Sequence, residues 1–166
     1  EIKECDWSSD VCSSDLGLIG TDASGDIVPT TGYDRWSADS QASRWVHLAT
    51  AWRDLGRAPH LCTDAAGDKP NPLSQGVERP YIADLRRTVL GLIAEQPVGT
   101  MTNAAAVCAH LEWQRPRRSS VARNRAVEAV MHEAQLLGLM SGGALTSFGR
   151  ALIVHEDAVA AMAALV

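Results

Sequence analysis

Between Ile82 and Ile153 the hydrophobic residues keep a helical period three times and then abandon it around a pair of glycines. Ile82, Leu85, Val89, Leu92 and Ile93 share one face of a helix. Pro80 suits its first turn, and Pro97 with Gly99 ends it and opens a turn. Thr102 is placed as an N-cap for a small helix over 103–111, whose Ala104, Ala105, Ala106 and Val107 allow close packing. A third helix starts after Ser119 or Ser120, either of which can cap it. Projected at about 100° per residue, Ala122, Ala126, Val130, Ala134 and Leu137 fall on its apolar side. Asn124, Arg125, Glu128, His132 and Gln135 fall on the other side.

Two short apolar runs, Leu137-Gly138-Leu139-Met140 and Ala144-Leu145-Thr146, then flank the tip Ser141-Gly142-Gly143. Glycine accepts the positive φ of tight hairpin turns, so this segment predicts a hairpin. Thr146 or Ser147 caps a last helix holding Phe148, Ala151 and Leu152. Three helices, a hairpin and a closing helix are the plan of a winged helix. The expected fold class is mainly α, with an N-terminal helical unit followed by a winged helix with a short β-hairpin wing over 78–154.

Upstream, Gly17–Gly32 is an irregular, turn-rich lead-in with at most a short strand around Ile27-Val28. A helical unit over 33–57 follows, in which Ala42, Trp45, Leu48, Ala49, Trp52 and Leu55 keep helical spacing. Gly56 is well placed as its C-terminal stop, and Trp36 could cover the same core. Tryptophans at this spacing fill a core more often than they bind a ligand. Residues 58–77, with Pro59, Gly67, Asp68, Pro70 and Pro72, predict a loop or linker. Residues 155–166 predict the start of a further, truncated helix. The chain does not begin with methionine and ends in mid-pattern, so an internal fragment of a longer protein is expected.

The first sixteen residues are a separate matter. Asp6-Trp7-Ser8-Ser9-Asp10-Val11-Cys12-Ser13-Ser14-Asp15-Leu16 is the translation of a common sequencing-library adapter, and Lys3-Glu4-Cys5 fits its partner adapter. Residues 1–16 are therefore expected to be a disordered read-through artefact outside the fold. They hold five acids and one lysine, and their removal leaves 14 basic and 15 acidic residues, a net charge of −1 in place of −5. Of the four cysteines Cys62 and Cys108 remain, which suggests neither a disulfide framework nor a zinc site. No apolar run reaches the length of a membrane span. A soluble, cytoplasmic protein with no membrane partner is the expectation.

Charge concentrates where the third helix begins. Arg115, Arg117, Arg118, Arg123 and Arg125 fall within eleven residues that contain no acid. Such a cluster at the entrance of a recognition helix suits phosphate contacts, which set affinity and position more than sequence choice. The DNA-binding residues expected are Arg115, Arg117, Arg118, Arg123, Asn124 and Arg125, with double-stranded DNA as partner. The alternative is a solvated basic turn stiffened by Pro116, and Glu128 on the same face opposes DNA. Cys108 and His110, two apart on a helix, diverge by about 200° and so make no nucleophile–base pair. His47, His60, His132 and His155 fit no metal spacing, and Gly138–Gly143 has no following lysine to hold a phosphate. No catalytic residue, cofactor or metal is expected.

With these residues in view, the chain resembles the helicase-associated proteins of high-GC bacteria that carry an XPB/Ssl-type helicase N-terminal domain. The resemblance runs through Tyr33-Asp34-Arg35-Trp36, Arg44-Trp45, Ala51-Trp52 and Glu78-Arg79-Pro80. It continues in Leu85-Arg86-Arg87, in 111–118, in Glu133–Leu139 and in Gly143–Leu152. It implies an accessory region of a repair- or transcription-type helicase system, partnered by DNA, by other domains of its parent protein or by a helicase. The ATP-hydrolysing motor motifs of XPB helicases are not in this sequence, so the resemblance carries over no catalytic residue. The rivals are a protein-docking winged helix without DNA contact, and a fragment of an ATP-dependent helicase whose motor lies elsewhere.

The adapter match generates a first prediction. A chain beginning at Gly17 should melt with the full chain. A loss above about 1 kcal/mol, large for a terminal tail, would show that residues 1–16 belong to the fold.

Overall fold

The computed structural model describes residues 17–63, 67–68, 70, 75–118 and 120–164. The proposed adapter segment lies outside them. The described residues form a mainly helical fold with two small antiparallel hairpins.

The first hairpin replaces the irregular lead-in expected over 17–32. Strands β1 (Ile19–Thr21) and β2 (Ile27–Pro29) pair with Gly20 opposite Val28. The turn between them is held by Asp22, whose Oδ1 accepts from the backbone N–H groups of Ser24 and Asp26 at 2.8 and 2.9 Å. Gly25 supplies the positive φ of 88° that the turn needs. β2 falls on the short strand expected around Ile27-Val28, whereas its partner β1 carries too little alternation to be recognised from its side chains.

Two helices follow, α1 (Thr31–Ala38) and α2 (Gln41–Asp54), capped by Thr30 and Ser40. Trp36 does not join the core. It packs in the corner between them, its Nε1–H donating to Arg44 O at 3.4 Å and its ring facing Tyr33 and the Arg44 guanidinium. α2 instead docks on the helix α3 (Tyr81–Ala94), and its Ala49, Trp45, Val46 and Trp52 join the core. The segment expected as a linker has both ends fastened between them: Ala58 N donates to Val77 O, Arg79 N donates to Gly56 O, and Ala58, Cys62 and Val77 are buried.

The winged-helix order then runs α3, α4 (Ala104–Gln114), α5 (Val121–Leu136), β3 (Met140–Ser141), β4 (Ala144–Leu145) and α6 (Ser147–Ile153). A last helix, α7 (Ala158–Ala163), occupies the stretch where a further helix is expected and packs on α6 and α2. The N-cap of α4 is Asn103, which accepts from Ala106 N, in place of Thr102. Thr102 instead donates its N–H to Gly143 O at 2.9 Å, joining the chain before α4 to the wing. Gly143 permits this approach, since at its φ of 85° a Cβ would lie 2.5 Å from Thr102 O.

One core serves the described fold. Ile82, Val89, Leu90 and Ile93 of α3 meet Val107, Cys108 and Leu111 of α4, Ala126, Val127, Val130, Met131 and Ala134 of α5, and Leu139, Met140 and Leu145 of the wing. The buried stripe of α5 is rotated from the one projected: Val127 and Met131 lie inside and Ala122 is exposed. Ala122 stands one turn too early to reach the core. Trp45 and Trp52 are half-buried rather than enclosed, and each indole N–H is used. Trp45 donates to Leu137 O at 2.7 Å and stands edge-on to Phe148, and Trp52 donates to Glu133 Oε2 at 2.8 Å.

Arg86 occupies the middle of the α3 stripe and is 1% exposed. Nη1 donates to Trp52 O and Leu55 O at 2.9 and 2.6 Å, and Nη2 to Arg57 O and Glu133 Oε2 at 3.1 and 2.9 Å. The other oxygen of Glu133 lies 2.8 Å from His60 Nδ1. α2 ends at Asp54 with Leu55 as its C-cap, just before Gly56 where the stop is expected, and the Arg86 guanidinium lies across Trp52 O and Leu55 O.

Removing that guanidinium should be costly. Arg86→Met should destabilise the fold by about 3–5 kcal/mol in urea unfolding, because it leaves a carboxylate and three carbonyls short of donors. Arg86→Met with Glu133→Met should cost less than the two single changes together. A single-variant loss below about 1 kcal/mol would mean that water replaces these bonds.

Candidate nucleic-acid interface

The turn between α4 and α5 is built by Pro116. The residue before a proline is disfavoured in helical conformation, and Arg115 leaves the helix with φ −141° and ψ 70°. A single 3-10 turn, Pro116–Arg118, crosses to Ser120, whose Oγ accepts from Arg123 N at 3.1 Å and starts α5. Arg115 and Arg117 are exposed, and no described residue pairs with either. The side chain of Arg118 lies outside the described part of the structure.

The three of the six expected contact residues that lie on α5 divide. Arg125 is exposed, with Glu128, His132 and Gln135 further along the same face. Arg123 and Asn124 are half-buried, although both are expected as DNA contacts and Asn124 on the polar side of the helix. Arg123 Nε and Nη2 and Asn124 Oδ1 are covered and have no described hydrogen-bond partner. The rotation of the buried stripe explains this. Arg123 stands four residues before Val127, and Asn124 seven before Met131, so both prolong the core face toward the N-terminus. A buried polar atom without a partner costs about 1–3 kcal/mol.

α2 covers one flank of α5, through Trp52 on Glu133 and Trp45 on Leu137. The flank carrying Arg125, Glu128, His132 and Gln135 is left open. The wing tip, Ser141-Gly142-Gly143, carries no charge. No family model, no curated protein and no solved structure matches this chain. Its surface must therefore speak for its function.

Other chemistry finds little support. Cys108 is buried against the core while His110 is exposed and bonded to Gln114 at 2.8 Å, so the two do not meet. Burial, reinforced by Glu128, pushes the Cys108 thiol above its ordinary pKa, the reverse of an activated nucleophile. Among the described residues no three His, Cys, Asp or Glu side chains gather as metal ligands. No described helix is long and apolar enough to cross a membrane. Arg86 is the residue that sequence reasoning passed over, although its spacing from Ile82 and Val89 places it on the buried stripe.

Alkylation tests the thiol. In a chain beginning at Gly17, Cys62 and Cys108 should react with iodoacetamide only slowly at pH 8 and rapidly in urea. Fast native labelling of Cys108 would mark an accessible thiolate.

Proposed function

We propose that the turn carrying Arg115, Arg117 and Arg118, with Arg125 on the open face of α5, contacts the phosphate backbone of double-stranded DNA. In this reading the chain is a non-catalytic accessory part of a cytoplasmic, helicase-associated protein in a repair- or transcription-type system. The observation that carries it is the pair of exposed arginines, Arg115 and Arg117, unpaired among the described residues and poised at the entrance of a helix. The N-terminal end of α5 favours phosphate as well, since its dipole is positive there. The XPB/Ssl-type resemblance supports the helicase association. A second reading, docking of a protein partner without DNA, is favoured by Trp113. It stands on α4 81% exposed, more than a tryptophan of a monomeric surface ordinarily is.

Binding to duplex DNA should be weak, indifferent to sequence and lost as salt rises. Replacing Arg115 and Arg117 together by alanine should make the log–log salt slope shallower by about two, because each neutralised phosphate contributes about 0.9. An unchanged slope in a folded double variant would remove these arginines from the interface. No binding at low salt and high concentration would favour the protein-docking reading.

A further inference from the structure

A half-open cavity of about 500 Å³ lies between α3, α4 and the first turn of α5, large enough to hold a small molecule. Leu85, Leu111 and Ala122 give it apolar walls, Arg123 lines it from α5, and Arg115 lines it from the turn. Asp84 is the one acid on its lining, and its Oδ1 is already bonded to Arg87 Nη1 at 2.7 Å. The Arg123 guanidinium makes no hydrogen bond to a described residue, and Nε and Nη2 are its two covered, unmatched donors. These atoms form one edge of the guanidinium, whose parallel N–H groups match the two oxygens of a carboxylate. The chain uses that edge in this way elsewhere: Arg53 donates from Nε and Nη2 to Asp54 Oδ1 and Oδ2 at 3.2 and 2.9 Å.

The geometry points to a binding site for an organic anion, a carboxylate on an apolar body, held by Arg123 and Arg115 with its body against Leu85, Leu111 and Ala122. Because Nε and Nη2 are covered in the protein without ligand, binding requires the guanidinium to turn that edge into the cavity, and no described hydrogen bond opposes the turn. A carboxylate there gives both N–H groups the acceptors that neither the protein nor solvent supplies. The apolar walls select against a bare inorganic anion, which would leave them unused. The site rests on the cavity and on Arg123, and stands whether or not the neighbouring turn contacts DNA.

The test is a titration of isotope-labelled protein followed by NMR. Benzoate is the probe, benzamide its neutral counterpart of the same shape, and inorganic phosphate the anion without an apolar body. Benzoate should give saturable shifts centred on Leu85, Leu111, Ala122 and Arg123, and should bind at least about tenfold more tightly than benzamide, as a charge-assisted bidentate pair requires. Arg123→Met keeps the aliphatic stem and should cut the preference for benzoate several-fold, with Arg115 left as the one cation at the site. Ala122→Phe fills the cavity from an exposed position and should remove both aromatic probes. Should Arg123→Met fail to fold, Arg123→Lys keeps the charge without the paired edge and should bind benzoate several-fold more weakly. Equal affinity for benzoate and benzamide, shifts centred elsewhere, no saturable shift at the highest soluble concentration, or undiminished benzoate binding by folded Arg123→Met or Arg123→Lys would overturn the assignment. Phosphate binding as tight as benzoate would overturn the organic-anion specificity.

Discussion

A guanidinium taken out of water is unfavourable unless nearly all its donors find acceptors. Arg86 meets that condition with three backbone carbonyls and one carboxylate, and its flat face lies 4.8 Å from the Trp52 ring. Only Nε is left without a partner. The acceptors come from the end of α2, from Arg57 and from Glu133 of α5, so one side chain sets the positions of three segments distant in sequence. Helices leave their last carbonyls open, and a glycine in left-handed conformation is a common way to close them. Here an arginine from a neighbouring helix does so, which makes the end of α2 depend on α3. Arg150 does the same for α3, donating to Ala94 O and Gln96 O. The ends of α2 and α3 are thus closed by tertiary contacts, so that their local stability and their packing are hard to separate.

This dependence explains why the helical unit before the loop is not a bystander to the winged helix. Trp45 and Trp52 reach α5 with their indole N–H groups while their rings cover the core. The segments flanking the loop are zipped at Gly56–Ala58 against Val77–Arg79. α5 is therefore held on one flank by α2 and on its inner face by α3 and α4. The flank left open is the one that starts beside the basic turn. Phosphate contact is consistent with that arrangement, although Glu128 breaks the run of positive charge and the wing tip adds none.

Much of the architecture was legible because it is written in local chemistry. The Gly142-Gly143 tip, Pro116, and the caps Ser120 and Thr146 each act through their own backbone, and each appears where its chemistry places it. What was not legible depends on partners remote in sequence. The β1–β2 hairpin is closed by a single aspartate and one glycine, with too few strand residues for a period to emerge. The projection of α5 could not tell an alanine that packs from one that does not, because Ala122 and Ala126 differ only in whether a neighbour is there to cover them. Alanine carries little hydrophobic weight in either position, and the error rotated the helix enough to place Arg123 and Asn124 outside.

Arg86 and Arg123 show how far residue type falls short of residue role. Each stands at helical spacing ahead of buried valines, Val89 and Val127, so pattern alone assigns both to a core stripe or both to an exception. Their surroundings differ. Arg86 meets the open end of a helix and a carboxylate, and its head is matched; its work is to hold the fold. Arg123 Nε and Nη2 meet no described acceptor; Ser120 Oγ is bonded to the backbone of α5 and Asp84 Oδ1 to Arg87. A matched buried cation resists change, since any movement breaks bonds that nothing else replaces. An unmatched one beside a cavity has nothing to lose by moving and gains from any anion that arrives, and for that reason binding is sought at Arg123 and stability at Arg86.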